Sequence, residues 1–228
     1  MVPKGPPLGY KPLVLVNDLL FEHRIHYPLS HDKYVLGLNL METSFGEAAY
    51  QLAHELCQIY CDPRVTNWAI EILSHVAPLY ILDILTQKWE EELPVGFQEE
   101  SFDVFHSYKN QIMREAYHKI DLVQHQLSNN WIKKEVRHIH DHPELGNHVI
   151  YNVFAFELLS YFEDHPEAWA ILPYVGKSSQ PAPDGIEMDL DDIVTTKPDL
   201  DMLLNSVPDE LKPAADEIIS RLWVESEA

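Results

Sequence analysis

The chain has 228 residues, 46% of them hydrophobic, so it can bury one sizeable core, and its length favours a single domain over residues 1–228. Its 37 acidic and 16 basic residues leave a formal charge of −21, which disfavours nucleic acid and anionic membranes as partners and allows a basic protein or peptide. Two cysteines do not form a disulfide framework, and no stretch resembles an export signal or a membrane span, so we expect a cytoplasmic protein.

Residues 1–45 have the character of strands interrupted by Pro12, Pro28 and Gly37. Within this region, residues 33–40 alternate apolar and polar positions, which is typical of a half-buried strand. The sequence therefore predicts a small N-terminal sheet ahead of the first helix.

The first predicted helix, Gly46 to Tyr60, carries the motif His54-Glu55-Leu56-Cys57-Gln58 and is ended by Asp62-Pro63. In the zinc-peptidase signature H-E-x-x-H, two histidines at i and i+4 hold Zn²⁺, and the glutamate activates the metal-bound water. Glutamine stands here in place of the second histidine. Its amide is a poor zinc ligand because its oxygen carries little charge and its nitrogen lone pair is delocalised.

A second helix is predicted to begin at Thr66 or Asn67 and to continue toward Trp89. It carries Glu71 in its first turn and His75 one turn later, on the same face. An acid and a histidine at i and i+4 can also simply stabilise their own helix, so this spacing alone does not assign a function.

The order of a strand, a helix with the motif and a following helix with a glutamate resembles the gluzincin class of zinc metallopeptidases over roughly residues 30–92. The resemblance implies an α+β fold with a zincin-like core, in which 33–40 is the edge strand beside the motif helix. It also implies a role for each matching residue: His54 as first ligand, Glu55 as general base, Gln58 at the lost second ligand and Glu71 as third ligand.

In such enzymes, the position four residues after the third ligand often carries a carboxylate that orients the first histidine. That position is His75 here, so two departures fall on the residues that hold the metal. We therefore expect a pseudoenzyme with no zinc or other cofactor and no peptidase activity, in which His54, Glu55 and Glu71 are vestigial.

Two other interpretations stay open. His54, Glu71 and His75 could supply a variant ligand set for an active zinc enzyme, or the motif could be an accident in a structural helical protein. Cys57 and Cys61 lie one turn apart, and we interpret them as buried packing thiols.

The region 93–176 is predicted to be helical, with helices at 101–127, 146–163 and 166–174. It contains a histidine cluster at 138–142. An extended backbone would place its three imidazoles on one side as a metal-binding or proton-sensitive patch, but we favour an exposed helix terminus.

Residues 177–198 are predicted to form a long, acidic, proline-rich loop. Asp189, Asp191 and Asp192 lack the glycine and terminal glutamate of a calcium loop, so we expect them to be solvated. The region 199–228 should carry a final helix beginning near Pro208.

These patterns predict a metallopeptidase-like core in residues 1–92 that has lost hydrolysis and acts as a binding or regulatory protein. The expected recognition surface is the strand at 33–40, since zincins hold extended peptides by strand addition and that capacity does not require zinc.

Overall fold

The computed structural model describes residues 5–17, 24–26, 32–40, 44–97, 103–120, 129–179 and 194–223. The fold is α+β and mainly helical. The strands are β1 (Leu13–Asn17), β2 (Arg24–His26), β3 (Tyr34–Leu38), β4 (Val65–Thr66) and β5 (Val194–Thr195). The helices are α1 (Phe45–Cys61), α2 (Trp68–Glu91), α3 (Val104–Ile120), α4 (Asn129–Asp141), α5 (His148–Asp164), α6 (Leu172–Val175), α7 (Leu200–Ser206) and α8 (Lys212–Leu222).

The N-terminal sheet has the strand order β1-β3-β2, with β1 parallel and β2 antiparallel to β3. The expectation that 33–40 forms an edge strand is therefore wrong, because Tyr34–Leu38 lies between two partners. Burial agrees with a central position, since Leu36 is fully buried whereas the apolar residues of β1 are 36–50% exposed. We assigned the edge position from the order of elements that this chain shares with the gluzincin class. That order does not determine how three strands pair.

The sheet packs on one side of α1, and the His54 and Gln58 side chains of the motif lie on another. Tyr34, Leu36 and Leu38 form a small cluster with Ile59, against which Leu52 and Leu56 also pack. At 100° per residue, His54 and Gln58 point away from that side. The strand at 33–40 thus lies beside the motif helix, as expected, but on the side away from His54 and Gln58.

The helices α1 and α2 form the centre of the fold. Asn67 is the N-cap of α2, and its side-chain oxygen accepts hydrogen bonds from the backbone N–H groups of Ala69 and Ile70. This N-cap fixes the first turn of α2, which carries Glu71. Helix α2 is long and apolar enough to span a membrane, but 56% of its most apolar stretch is buried, which is compatible with the core helix of a soluble protein.

The main hydrophobic cluster contains residues from Tyr50 to Leu222 and joins α1 and α2 to α3, α5 and α8. Helix α5 packs against α2 through residues such as Phe154 and Leu158, which are fully buried. This contact brings the first turn of α5 close to the first two turns of α2, where the candidate site lies.

The predicted helices at 146–163 and near 67–89 are confirmed as α5 and α2. The helix predicted at 101–127 is observed as Val104–Ile120, and residues 121–128 lie outside the described part. Helix α4 was not predicted as an element. It ends at Asp141, so the histidine cluster at 138–142 is a helix terminus as we favoured.

The predicted loop at 177–198 is described only at its two ends. Its C-terminal end is not simply loop, because β5 pairs in parallel with β4. The aspartates at 189, 191 and 192 lie outside the described residues, so the expectation that they are solvated stays a prediction.

Candidate functional site

The structure brings His54 and Gln58 of α1 together with Glu71 of α2. The Gln58 amide Nε2 lies 3.1 Å from His54 Nε2 and 3.2 Å from Glu71 Oε1. His54 Nε2 lies 4.0 Å from Glu71 Oε2. Because the amide nitrogen only donates, it donates one hydrogen to the carboxylate and one to His54 Nε2, so His54 carries its own proton on Nδ1.

Glu71 is held from a second direction by Thr66, the last residue of β4. The Thr66 hydroxyl donates to Glu71 Oε1 at 2.5 Å. The carboxylate is 17% exposed, whereas the His54 side chain is 2% exposed. Glu71 and Gln58 are thus partly accessible to solvent, whereas His54 is buried.

His75 lies beside the same group and is fixed by a buried network. Its Nδ1 lies 2.8 Å from the Tyr50 hydroxyl and 2.9 Å from Asn152 Oδ1. Because the Tyr50 hydroxyl donates to Asn152 Oδ1 at 2.9 Å, the proton between His75 and this pair belongs to His75 Nδ1. The Nε2 of His75 is therefore an acceptor. Burial, followed by the effect of Tyr108, raises the pKa of Tyr50 well above its usual range, so the phenol stays protonated.

A third histidine completes the cluster from α5. His148 Nδ1 lies 3.1 Å from His75 Nε2, and because Nε2 is the acceptor, His148 is the donor. The ring centroids of His54 and His75 are 4.8 Å apart, and those of His54 and His148 are 6.2 Å apart. Three imidazoles and a carboxylate thus occupy one small volume.

Glu55 and the two cysteines lie away from the opening of this cluster. Glu55 is 2% exposed and is absent from the described lining of the cavity beside Glu71. Cys57 and Cys61 are free thiols, 2% and 0% exposed. Burial raises the pKa of the Cys61 thiol, and the neighbouring Cys57 adds to this effect. Two buried free thiols agree with the packing role that we expected.

The residue types and spacing of the cluster can be compared with what zinc requires. One ligand atom from each of His54, Glu71 and His75 lies within 4.8 Å of the others. Zinc bonds of about 2.0–2.2 Å would bring tetrahedral ligands to roughly 3.3 Å from one another, so the most widely separated of these ligand atoms would have to approach by about 1.5 Å. The support of His75 Nδ1 by an amide oxygen is the arrangement that usually orients a ligating histidine.

A cavity of about 390 Å³ opens beside Glu71. Its described lining comes from the start of α2, from residues 139–151 and from Thr196. Tyr151 closes one side by lying against Gly146, where an added Cβ would fall 1.9 Å from the tyrosine oxygen. Burial, and then the charge of Glu71, raise the pKa of Tyr151, so its hydroxyl stays a donor. The cavity therefore presents one carboxylate, one phenol and two imidazoles, those of His140 and His148.

Aromatic side chains around Trp68 form another part of the cavity wall. Trp68 stacks on Trp223 at 5.8 Å between centroids, and its indole N–H donates to His140 Nδ1 at 3.2 Å. Burial, and then the charge of Lys197, lower the pKa of His140, which favours the neutral imidazole that can accept this bond. His140 of the histidine cluster thus belongs to the cavity wall, while His138 and His142 are exposed.

Sequence reasoning missed His148, Tyr50 and Asn152. His148 follows the N-cap Asn147 of a helix that was predicted, but no local pattern links it to a residue 73 positions earlier. Tyr50 lies one turn before His54 on the predicted motif helix, so its position on the same side could have been found.

Comparisons with protein-family models, with curated proteins and with solved structures find no match. The resemblance to zinc metallopeptidases therefore rests on the sequence pattern of residues 30–92 alone.

Proposed function

We propose that this protein is a metallopeptidase-like binding protein that has lost zinc-dependent hydrolysis. The observation that carries the proposal is the position of the Gln58 amide, within hydrogen-bonding distance of both His54 Nε2 and Glu71 Oε1. In the intact motif an imidazole lone pair would share a cation with these two groups. Here a neutral donor supplies each of these two acceptor atoms with a hydrogen, so neither needs a cation.

Metal analysis tests this proposal directly. Protein purified without an immobilised metal would be dialysed against buffered zinc, and the bound zinc would be counted by elemental analysis. We expect well under one zinc per chain and no cleavage of an unfolded protein substrate such as casein. One tightly bound zinc per chain, or zinc-dependent cleavage, would overturn the proposal.

In this proposal the peptide binds to β1, the apolar outer strand of the described sheet, because β3 is central and has no free edge. Among the described residues, β1 pairs on one side only, with β3. Its Leu13, Leu15 and Val16 are 41%, 50% and 43% exposed, as suits a strand that receives an extended peptide. The charge of −21 favours a basic peptide.

The peptide part is tested with a fluorescein-labelled decapeptide of alternating valine and lysine, followed by fluorescence anisotropy. We expect saturable binding that Val16→Lys weakens, because a charge on an outer strand opposes strand addition. Leu145→Lys is the matched control, since Leu145 is a similarly exposed apolar residue outside the sheet. Equal binding by both variants, or none by the wild type, would exclude β1.

A second candidate function is a variant metal site. It is favoured by the approach of His54, Glu71 and His75 ligand atoms to within 4.8 Å and by the orientation of His75 through Asn152. When bound, zinc would supply Lewis-acid polarisation of a carbonyl or water. His54, Glu71 and His75 would hold it, and Tyr151 would donate toward a ligand in the cavity.

The two candidates make opposite predictions for one pair of variants. If the variant site binds zinc, His75→Gln should abolish a zinc-dependent rise in melting temperature, and Gln58→Ala should keep it. If the metal-free proposal is correct, wild-type protein shows no such rise.

A further inference from the structure

The last turn of α4 carries two exposed histidines four residues apart, His138 and His142. At 100° per residue this spacing puts both side chains on one face of the helix, about 40° apart around its axis. His140 points to the other side, which agrees with its place in the wall of the cavity beside Glu71. The helical backbone therefore pairs two imidazoles of the histidine cluster and separates the third from them.

The turn that carries this pair is held by its backbone and by packing. The His142 N–H donates to the His138 carbonyl oxygen at 2.9 Å, and the Leu145 N–H donates to the His142 carbonyl oxygen at 3.0 Å. Val136 and Ile139, on the inner side of the same helix, are 0% and 1% exposed. Two ligands on a fixed helical turn are positioned before an ion arrives, so little backbone freedom is lost on binding.

The distance between the two rings suits a shared metal ion. Bonds of about 2.0–2.1 Å from a metal to imidazole nitrogens would put two ring centroids roughly 4.5–5.2 Å apart for bond angles of about 90–109°. The centroids of His138 and His142 are 5.1 Å apart, with their planes inclined by 59°. Because the χ2 torsion of histidine is broad, each exposed ring can turn a nitrogen toward the same point.

The charges around the pair favour a cation or oppose it only weakly. Arg137, the neighbour of His138, lies with its Cζ 4.9 Å from the centroid of the Trp223 ring and with its Nε 4.0 Å from Asp141 Oδ2. Asp141 therefore offsets the charge of this guanidinium. The formal charge of −21 on the whole chain attracts cations to its surface.

We propose that His138 and His142 bind one divalent late transition-metal ion through one nitrogen of each imidazole. Imidazole suits Cu²⁺, Ni²⁺ and Zn²⁺, whereas Mg²⁺ and Ca²⁺ prefer oxygen ligands. Affinity for a given set of nitrogen ligands is higher for Cu²⁺ than for Ni²⁺ or Zn²⁺, so the pair binds Cu²⁺ most tightly. Water completes the coordination of the ion. This site does not depend on the proposed function, because it shares no residue with the His54 group.

Isothermal titration of the full chain, purified without an immobilised metal, tests the site with NiCl₂ and with CuCl₂. We expect saturable binding of Ni²⁺ and tighter binding of Cu²⁺. Two imidazoles at this distance could also simply pack against each other. Absence of saturable Ni²⁺ binding would support that alternative and overturn the proposal.

Single variants locate the ion. His138→Asn and His142→Asn should each weaken Ni²⁺ binding at least about tenfold, because the second imidazole binds an ion that the first already holds at high effective concentration. His118→Asn is the matched control, since it removes an exposed histidine of α3 and should leave the affinity unchanged. Ni²⁺ affinity unchanged in either variant of the pair, or lowered equally in His118→Asn, would overturn the proposal.

Electron paramagnetic resonance of bound Cu²⁺ identifies the ligands. The wild type should show two imidazole nitrogens, and a spectrum that His138→Asn leaves unchanged would place the ion elsewhere. Both positions of the pair are exposed, so the variants should fold, which circular dichroism checks. Zinc that stays bound in His138→Asn would belong to the His54 group, so failure of this inference and failure of the proposed function are distinguishable.

Discussion

His148 Nδ1 lies 3.1 Å from Nε2 of the buried His75, so the first turn of α5 is bonded directly to the second turn of α2. This bond extends the chain of hydrogen bonds from Tyr50 and Asn152 through His75 to an exposed residue at the cavity. The acceptor lone pair of His75 Nε2 is used by this bond. A metal ion that bound His75 through Nε2 would therefore have to displace His148.

The first prediction concerns restoration of the motif. Gln58→His should place two imidazoles one turn apart opposite Glu71 and raise zinc affinity above that of the wild type. Adding His75→Glu should strengthen binding by a further 10- to 100-fold, about the effect of partners that orient a ligand. Isothermal titration with zinc measures both steps.

The same variants can also contradict the metallopeptidase-like proposal. If both fold and neither binds zinc more tightly than the wild type, the Gln58 position does not correspond to a lost ligand. The metallopeptidase-like proposal would then be abandoned.

A second prediction concerns the buried network around His75. Asn152→Leu should destabilise the protein by about 1–3 kcal/mol, because the Tyr50 hydroxyl and His75 Nδ1 lose the acceptor that they share. Urea unfolding measures the change. Gln111→Leu on α3 is the control, since its side chain is exposed and should change stability by less than about 0.5 kcal/mol. A similar small change for Asn152→Leu would show that the network contributes little.

The third prediction concerns pH. The pKa of His140 is lowered from its ordinary 6.5 in the folded protein, chiefly by burial. Its contribution to stability is therefore present above pH 6.5 and is lost as pH falls through the lowered pKa. We expect His140→Asn to lose less stability than the wild type between pH 7 and pH 5, measured by urea unfolding.

The control for this pH experiment is His118→Asn, which removes an exposed histidine from α3. It should follow the wild-type profile. A His140→Asn profile parallel to that of the wild type would show that the bond from Trp68 does not depend on the charge of this imidazole.

The fourth prediction concerns the contact between Gly176 and the end of α1. A Cβ at this position would lie 2.2 Å from the Cys61 carbonyl oxygen, and a backbone atom cannot rotate away. Gly176→Ala should therefore destabilise the protein by at least about 1–3 kcal/mol. Lys177→Ala, at the neighbouring exposed residue, should have little effect in the same thermal unfolding experiment. Equal melting temperatures for both variants would contradict this close contact.

The sequence predicted the approach of His54, Gln58 and Glu71 because they lie on consecutive helices joined by a short segment. Helical spacing gives their faces, and the N-cap Asn67 gives the start of α2. Helix α4 could have been found from Ile132, Val136 and Ile139, which recur at helical spacing and are buried.

The partner of a strand or of a histidine cannot be found in the same way. Pairing depends on which surfaces meet after the chain has folded, and periodicity describes only one element. For this reason, periodicity could predict neither the central position of β3 nor the contact of His148 with His75. The two-residue strands β4 and β5 are too short to have a period of their own.

The parallel pair formed by β4 and β5 makes the site depend on the order of synthesis. Thr66, whose hydroxyl holds Glu71, accepts a backbone hydrogen bond from Thr196 through its carbonyl oxygen. A nascent chain that has left the ribosome only as far as α5 already contains His54, Glu71, His75 and His148, but it still lacks this backbone partner. The backbone bond that anchors Thr66 can therefore form only after the segment at 194–196 has emerged, long after the motif itself has been translated.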